Sequence, residues 1–301
     1  GIPLDSLFAQ EKAYYKYVMI PITEDKYFTK EFRFRFRNIA SLNNNPQLAY
    51  IGNCDQWNID YVYLDKNRSI TDTVIRELAF VDPAPSMLKR YQAMPANQYT
   101  EQEIADSLQI KIINLYSEAL SSVYKYFIKD EQENILHTYD GGFENISPYI
   151  TTLSYQDAPS HCRPIVDYNF PINEDNWQTF SIIHTIKEGV GQDVLASNDT
   201  ISFIQKFENY FAYDDGSAEN GIGVEPIAGS HLAVAFDLNK SDTLTAVDIY
   251  FNSALNEANL KQFYLCVWTS LNGIPYQMIH KTERLTPISD SLKRFVRFEL
   301  G

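Results

Sequence analysis

Apolar and polar side chains alternate along this chain far more often than they recur at three- or four-residue intervals. The stretch "FRFRFR" is the purest case: Phe32, Phe34 and Phe36 share one side of an extended chain, and Arg33, Arg35 and Arg37 share the other. The pattern predicts a strand with its phenylalanines on a core and its arginines toward solvent or acidic neighbours. Similar alternation predicts strands at 14–22, 58–64, 108–115, 122–128, 178–186, 231–238, 245–251, 263–268 and 294–300. Turn signals separate most of them: "NNNP", "DPAP", "DGG" and "NGIP". Only 101–107 reads as a turn or two of helix. Short strands at this spacing predict an all-β chain of tandem β-sandwich modules with little helix, not βαβ units.

The punctuation divides the chain. Residues 82–103 hold three prolines and no clear period, so they read as a linker or strap. The pattern restarts after "GQDVLASNDT", which places a second boundary near residue 205. Three sandwich modules result, 1–98, 99–205 and 206–301, the middle one read as immunoglobulin-like.

Composition sharpens this in three ways. The 301 residues suit two or three domains, and the 21 tyrosines and 18 phenylalanines favour pleated surfaces, against which flat rings pack. The net charge of −14 speaks against nucleic acid as a partner. That charge is uneven: residues 1–100 carry a net +1 and residues 101–301 a net −15, which supports a boundary near 100. Cys54, Cys162 and Cys266 are too few and too scattered for a disulfide framework and read as small core residues. No stretch approaches the length of a membrane-spanning helix.

Motifs with a mechanism behind them are scarce. No H-E-x-x-H follows His137, His161, His184, His231 or His280, and there is no C-x-x-C, no G-x-S-x-G and no P-loop. "GVGQDV" and "GIGVEP" both lack the third glycine of a dinucleotide fingerprint. His184, between apolar neighbours in "SIIHTI", reads as a satisfied structural histidine.

Two acidic stretches are candidate metal sites. "DDGSAENG" cannot be an EF-hand, because Asn220 stands where glycine is needed and Pro226 where the bidentate glutamate is needed. Asp214, Asp215 and Glu219 form a looser oxygen set suited to calcium; the plainer reading is a solvated turn that opens the third module. Two adjacent acids on a strand point to opposite faces, so they make a poor catalytic pair. Asp60, among aromatic neighbours, needs a partner if it faces inward; an ion pair with Arg33, Arg35 or Arg37 is preferred over a cation. Trp57, Trp177 and Trp268 are either core rings or a sugar-stacking platform.

Five stretches, "FRFRNIASL", "DQWNIDYVYLDKNRS", "AFVDPAPSMLKRYQAMP", "FENYFAYDDGSAENGIGV" and "DTLTAVDIYFN", together resemble large secreted or surface proteins of the Bacteroidetes, many of which end in a type IX secretion sorting domain. "WNIDYVYLD" is also similar to the last strand of jelly-roll carbohydrate-binding modules, in some of which the aspartate, here Asp60, ligates a structural calcium, and "AYDDGSAENG" is similar to the first strand of another. This resemblance implies that 1–98 is a partial jelly-roll-like sandwich and 206–301 a jelly-roll-like sandwich truncated at its end. The resemblance implies an exported or cell-surface location, neighbouring domains in a longer chain, and an extracellular glycan or protein ligand. It also implies O-glycosylation at D-[ST]-[apolar or Thr] motifs. Six occur, at Ser6, Thr73, Ser107, Thr200, Thr243 and Ser291, where composition alone gives about one or two. The same Asp-Ser/Thr pairs are equally ordinary turn chemistry.

The expectation is therefore a non-catalytic, exported surface protein acting as an adhesion or binding scaffold, with the middle module a spacer. No cofactor is required; a structural calcium is the one candidate. The alternatives are a set of carbohydrate-binding modules and a jelly-roll glycosidase, which would need two carboxylates facing each other in a cleft.

Overall fold

The computed structural model describes residues 18–38, 59, 62–72, 74–149, 158–189, 195–196, 198–216, 223, 229–251, 261–288 and 295–300. The chain is all-β, and among the described residues helix is limited to isolated turns. Among the described residues eleven strands run in chain order: β1 (Leu78–Phe80), β2 (Ala93–Pro95), β3 (Ile112–Asn114), β4 (Leu120–Lys129), β5 (Ile135–Ile146), β6 (Gln178–Glu188), β7 (Thr200–Glu208), β8 (Ala246–Ile249), β9 (Cys266–Leu271), β10 (Ile274–Lys281) and β11 (Val296–Glu299).

The centre is a five-stranded sheet in the order β2-β7-β6-β4-β5. Its strands are antiparallel except at one margin, where β2 runs parallel to β7. Strand β4 alternates strictly: Leu120, Ser122, Tyr124, Tyr126 and Ile128 are buried, and the residues between them are not. Phe180, Ile182, His184 and Ile186 of β6 extend the same buried face. The antiparallel pair β1–β3 covers part of that face, with Phe80 edge-on to Tyr124. Phe170, Phe180 and Phe207 pack beside it, and Tyr99 meets both Phe170 and Phe207. Each such ring removes a large apolar area from water, which is the main favourable contribution to this core.

The two boundaries expected from punctuation both fall inside this body. Residues 82–103 are a strap packed into the core rather than a solvated linker: Met87 and Met94 are fully buried, and Tyr91 is 1% exposed. Their missing period has a physical cause. The segment is irregular and buries consecutive runs, 86–88 and 93–96, with no alternation, and β2 is its one ladder. The 205/206 boundary lies within β7, where Gln205 and Phe207 are fully buried.

The "DGG" signal at 140–142 is not a turn. It lies in the middle of β5, where Val123 pairs with Phe143 but Lys125 pairs with Asp140, so one extra residue bulges opposite Tyr124. Gly142 has φ +66°, and a Cβ on Gly141 would lie 2.8 Å from the Ser160 carbonyl oxygen. The hairpin turn between β4 and β5 is instead built by Asp130, whose Oδ1 accepts the Gln132 and Asn134 amides at 2.9 and 2.8 Å.

"FRFRFR" departs from its expectation. Residues 32–37 are extended but lie in no ladder with the described residues, and Phe34 and Phe36 are about half exposed. Its rings contact one another instead: Phe32 with Phe34 and Phe34 with Phe36. Residues 231–238 likewise show alternation without a strand, and Leu232, Val234 and Leu238 stand exposed. Beyond them, β8 pairs with β11, and β9 pairs with β10 across an Asn272-Gly273 turn with positive φ at both residues. Cys162 is buried and Cys266 half-buried; Cys54 lies outside the described residues.

Candidate functional site

The strap and the segment that follows the sheet meet at a polar joint. After β7 the chain turns back and runs antiparallel to β2, with Ala212 N–H donating to Ala93 O at 2.9 Å and Gln92 N–H to Ala212 O at 2.7 Å. Residues 235–243 then cross the strap as an extended segment without a backbone ladder, and side chains take the place of a neighbouring strand. Gln98 is fully buried. Its Oε1 accepts the amides of Asn239 and Lys240, both at 2.9 Å, and its Nε2 donates to Lys240 O at 3.0 Å and Asp242 Oδ2 at 3.2 Å. Both ends of the amide are thereby satisfied, as burial demands.

Tyr91 works in the same way. Its hydroxyl donates to Asp237 O at 3.2 Å and accepts Asp237 N–H at 2.9 Å. Its ring packs against Phe211 and Tyr213, each 4.9 Å away, and lies parallel to Phe236. Burial pushes the Tyr91 phenol up to about 12. Glu103 is 5% exposed and is met by Arg90 Nη2 at 2.8 Å and Asn239 Nδ2 at 3.0 Å. Arg90 also pairs with Asp237, and the Glu103 hydrogen bond raises its guanidinium above the usual range. Asp242 is held below the usual carboxylate range, first by the Thr243 amide, then by Gln98 and Asn97. This arrangement grips an extended segment by its backbone amides and carbonyls and also by the side chains of Asp237, Asn239 and Asp242.

A second polar cluster lies inside the sheet module, around Tyr124. Its hydroxyl shares a 2.8 Å hydrogen bond with His184 Nδ1, and its ring lies against both His184 and His161. His161 sits on the helical turn Pro159–Cys162, with Nδ1 3.0 Å from Ser160 Oγ and Nε2 3.3 Å from Ser122 O. Ser160 Oγ is in turn 2.6 Å from Glu144 Oε1. The order is acid, serine, histidine, carbonyl: the serine stands between acid and base, whereas a nucleophilic triad places the base between serine and acid. Farther along, His137 Nε2 lies 3.2 Å from Asp167 Oδ1 without hydrogen-bond alignment.

Of the acids singled out in the sequence, Asp214 and Asp215 lie among the described residues. Asp214 is exposed, and its Oδ1 accepts the Gly216 amide at 2.7 Å, the geometry of a solvated turn; Gly216 has φ +102°. Asp215 is exposed beside it. Glu219 and Asp60 lie outside the described residues, as does Trp57. Among the described residues no three His, Cys, Asp or Glu side chains gather into a metal-holding group. Trp177 and Trp268 are exposed. Thr200 and Thr243 are exposed and Ser107 is half-buried; Ser6, Thr73 and Ser291 lie outside the described residues.

Gln98, Tyr91 and Glu103 were not legible as site residues, since nothing in their local pattern separates a buried polar residue from a solvated one. The one available signal was Asp242-Thr243, singled out as a modification motif, which the fold uses as a contact of the joint. The chain matches no family model, and neither a curated protein nor a solved structure shows detectable similarity to it.

Proposed function

We propose that this chain is a non-catalytic scaffold of an exported surface protein, in which the five-stranded sheet is a rigid spacer between flanking β segments. The observation that carries the reading is the joint. Gln98, Tyr91 and Glu103, all buried, direct their hydrogen bonds to the backbone and side chains of Asp237, Asn239, Lys240 and Asp242. A flexible tether needs no such contacts, whereas a spacer that transmits orientation does, because inter-domain motion is the default unless the interface is specific. Small-angle scattering of the whole chain tests this. The expected result is one well-defined maximum dimension, which lengthens and broadens in Gln98→Ala. A profile already broad in the native chain, and unchanged by the substitution, would remove the argument.

Carbohydrate binding is the second reading, favoured by the exposed rings Trp268 and Tyr276 on the β9–β10 hairpin. Aromatic faces of this kind stack on sugar C–H surfaces. Glycan-array binding that disappears in Trp268→Ala and Tyr276→Ala would establish it, and an array without hits would discard it.

A further inference from the structure

Two histidines flank Tyr124, and their surroundings differ in a way that matters when a proton arrives. His161 has an acceptor for each ring nitrogen: the Ser122 carbonyl at Nε2, and Ser160 Oγ at Nδ1 with the Glu144 carboxylate behind it. A carbonyl only accepts, so Nε2 carries the hydrogen in the neutral ring, and a second proton at Nδ1 would still find an oxygen and a nearby negative charge. His184 has no such provision. It is fully buried, its Nδ1 is occupied by Tyr124, and its Nε2 has no hydrogen-bond partner.

The groups around His184 are all neutral at moderate pH. Tyr124 and Tyr126 face it from β4, and Tyr139 of β5 stacks on Tyr126. From β7 its ladder partner is the apolar Ile201. His161 and Cys162, on the helical turn, reach Tyr124 rather than His184. An imidazolium formed here would hold an unpaired N–H and a full charge among aromatic rings, which burial penalises heavily.

We propose that His184 is an acid trigger built into the sheet: its protonation expels the ring from the buried face, where it lies against Tyr124 and Tyr126, and opens the module. Burial also holds His161 below the ordinary histidine value, but both of its ring nitrogens keep a partner. Burial alone pushes His184 down to about 4, against an ordinary value of 6.5. The sign follows from the direction. The folded state binds this proton less readily than the unfolded chain, so the stabilising contribution is complete above pH 6.5 and is lost as pH falls through the window between 6.5 and 4. The unfolding equilibrium constant should rise about 20-fold between pH 7 and pH 5 from this one group.

The test is urea unfolding of the whole chain at pH 7 and pH 5, with His184→Gln and His161→Gln beside it. Glutamine keeps a polar contact for Tyr124 and cannot take up a proton. The native chain and His161→Gln should show the rise, and His184→Gln should lose about 20-fold of it. Equal pH dependence in the native chain and His184→Gln would overturn the proposal, and so would its loss in His161→Gln instead. Should His184→Gln fail to fold, the ring-proton shifts of His184 in the folded native chain decide the matter. A midpoint near 4, or unfolding before any titration, supports the trigger; a midpoint near 6.5 refutes it.

Discussion

Residues 75–211 and residues 229–300 carry the same kind of alternation, yet they end in different states. In the first region every second residue of β4, and of β6 from Phe180 on, is buried. In the second, Leu232, Val234, Leu238, Ile274, Tyr276 and Ile279 stand exposed on extended chain or on a two-stranded hairpin. Alternation decides which side chains share a face. It does not supply the layer that buries that face, and a two-stranded ribbon alone is marginal in water. The N-terminal "FRFRFR" belongs with the second kind: its sides are sorted, but its phenylalanines stay half exposed.

The widest test of that contrast is truncation of one large apolar residue in each region. Phe207→Ala, at a fully buried ring, should cost about 3–5 kcal/mol in urea unfolding. Leu232→Ala, at a side chain 64% exposed, should stay within about 0.5 kcal/mol. A comparable loss at Leu232 would mean that its face is covered in solution.

A smaller effect belongs to the bulge. Gly141→Ala drives a methyl group against the Ser160 carbonyl and the Tyr124 ring and should cost about 1–3 kcal/mol. Gly189→Ala meets only the Ser121 hydroxyl at 3.2 Å and ordinary contacts beyond, and should cost distinctly less. Thermal unfolding of both variants ranks them, and equal losses would show that the bulge yields.

The smallest effect is expected on the surface ladder of the second region. Arg297 reaches Asp248 with two hydrogen bonds of 2.9 and 3.0 Å, yet both side chains are substantially exposed. Asp248→Asn should therefore change stability by less than about 1 kcal/mol, and less again at high salt. A larger loss would show the β8–β11 pair to be better shielded than its exposure indicates.

The sequence conveyed faces better than layers. Strand character at 122–128, 178–186, 245–251 and 294–300 was legible because period-2 alternation is local. β5 was missed: its paired glycines imitate a turn, and its exposed edge position breaks the alternation of burial. β2 was missed because proline closes it and because its partner, β7, lies more than a hundred residues away. The joint was invisible for a related reason. A glutamine that satisfies two distant amides has no sequence neighbour that reveals it, and only the closed fold brings Gln98 to residues 239 and 240. Asp214 reads as turn or ligand in the sequence, and in the fold its Oδ1 accepts the amide of Gly216.

The claim that the strap grips residues 235–243 by their backbone is most directly tested by amide hydrogen exchange at single-residue resolution. The amides of Asp237, Asn239 and Lys240, held by Tyr91 and Gln98 outside any strand, should exchange far more slowly than that of exposed Val234, and Asn239 and Lys240 should lose this protection in Gln98→Ala. Exchange at these three positions as fast as at Val234 in the native chain would contradict the joint.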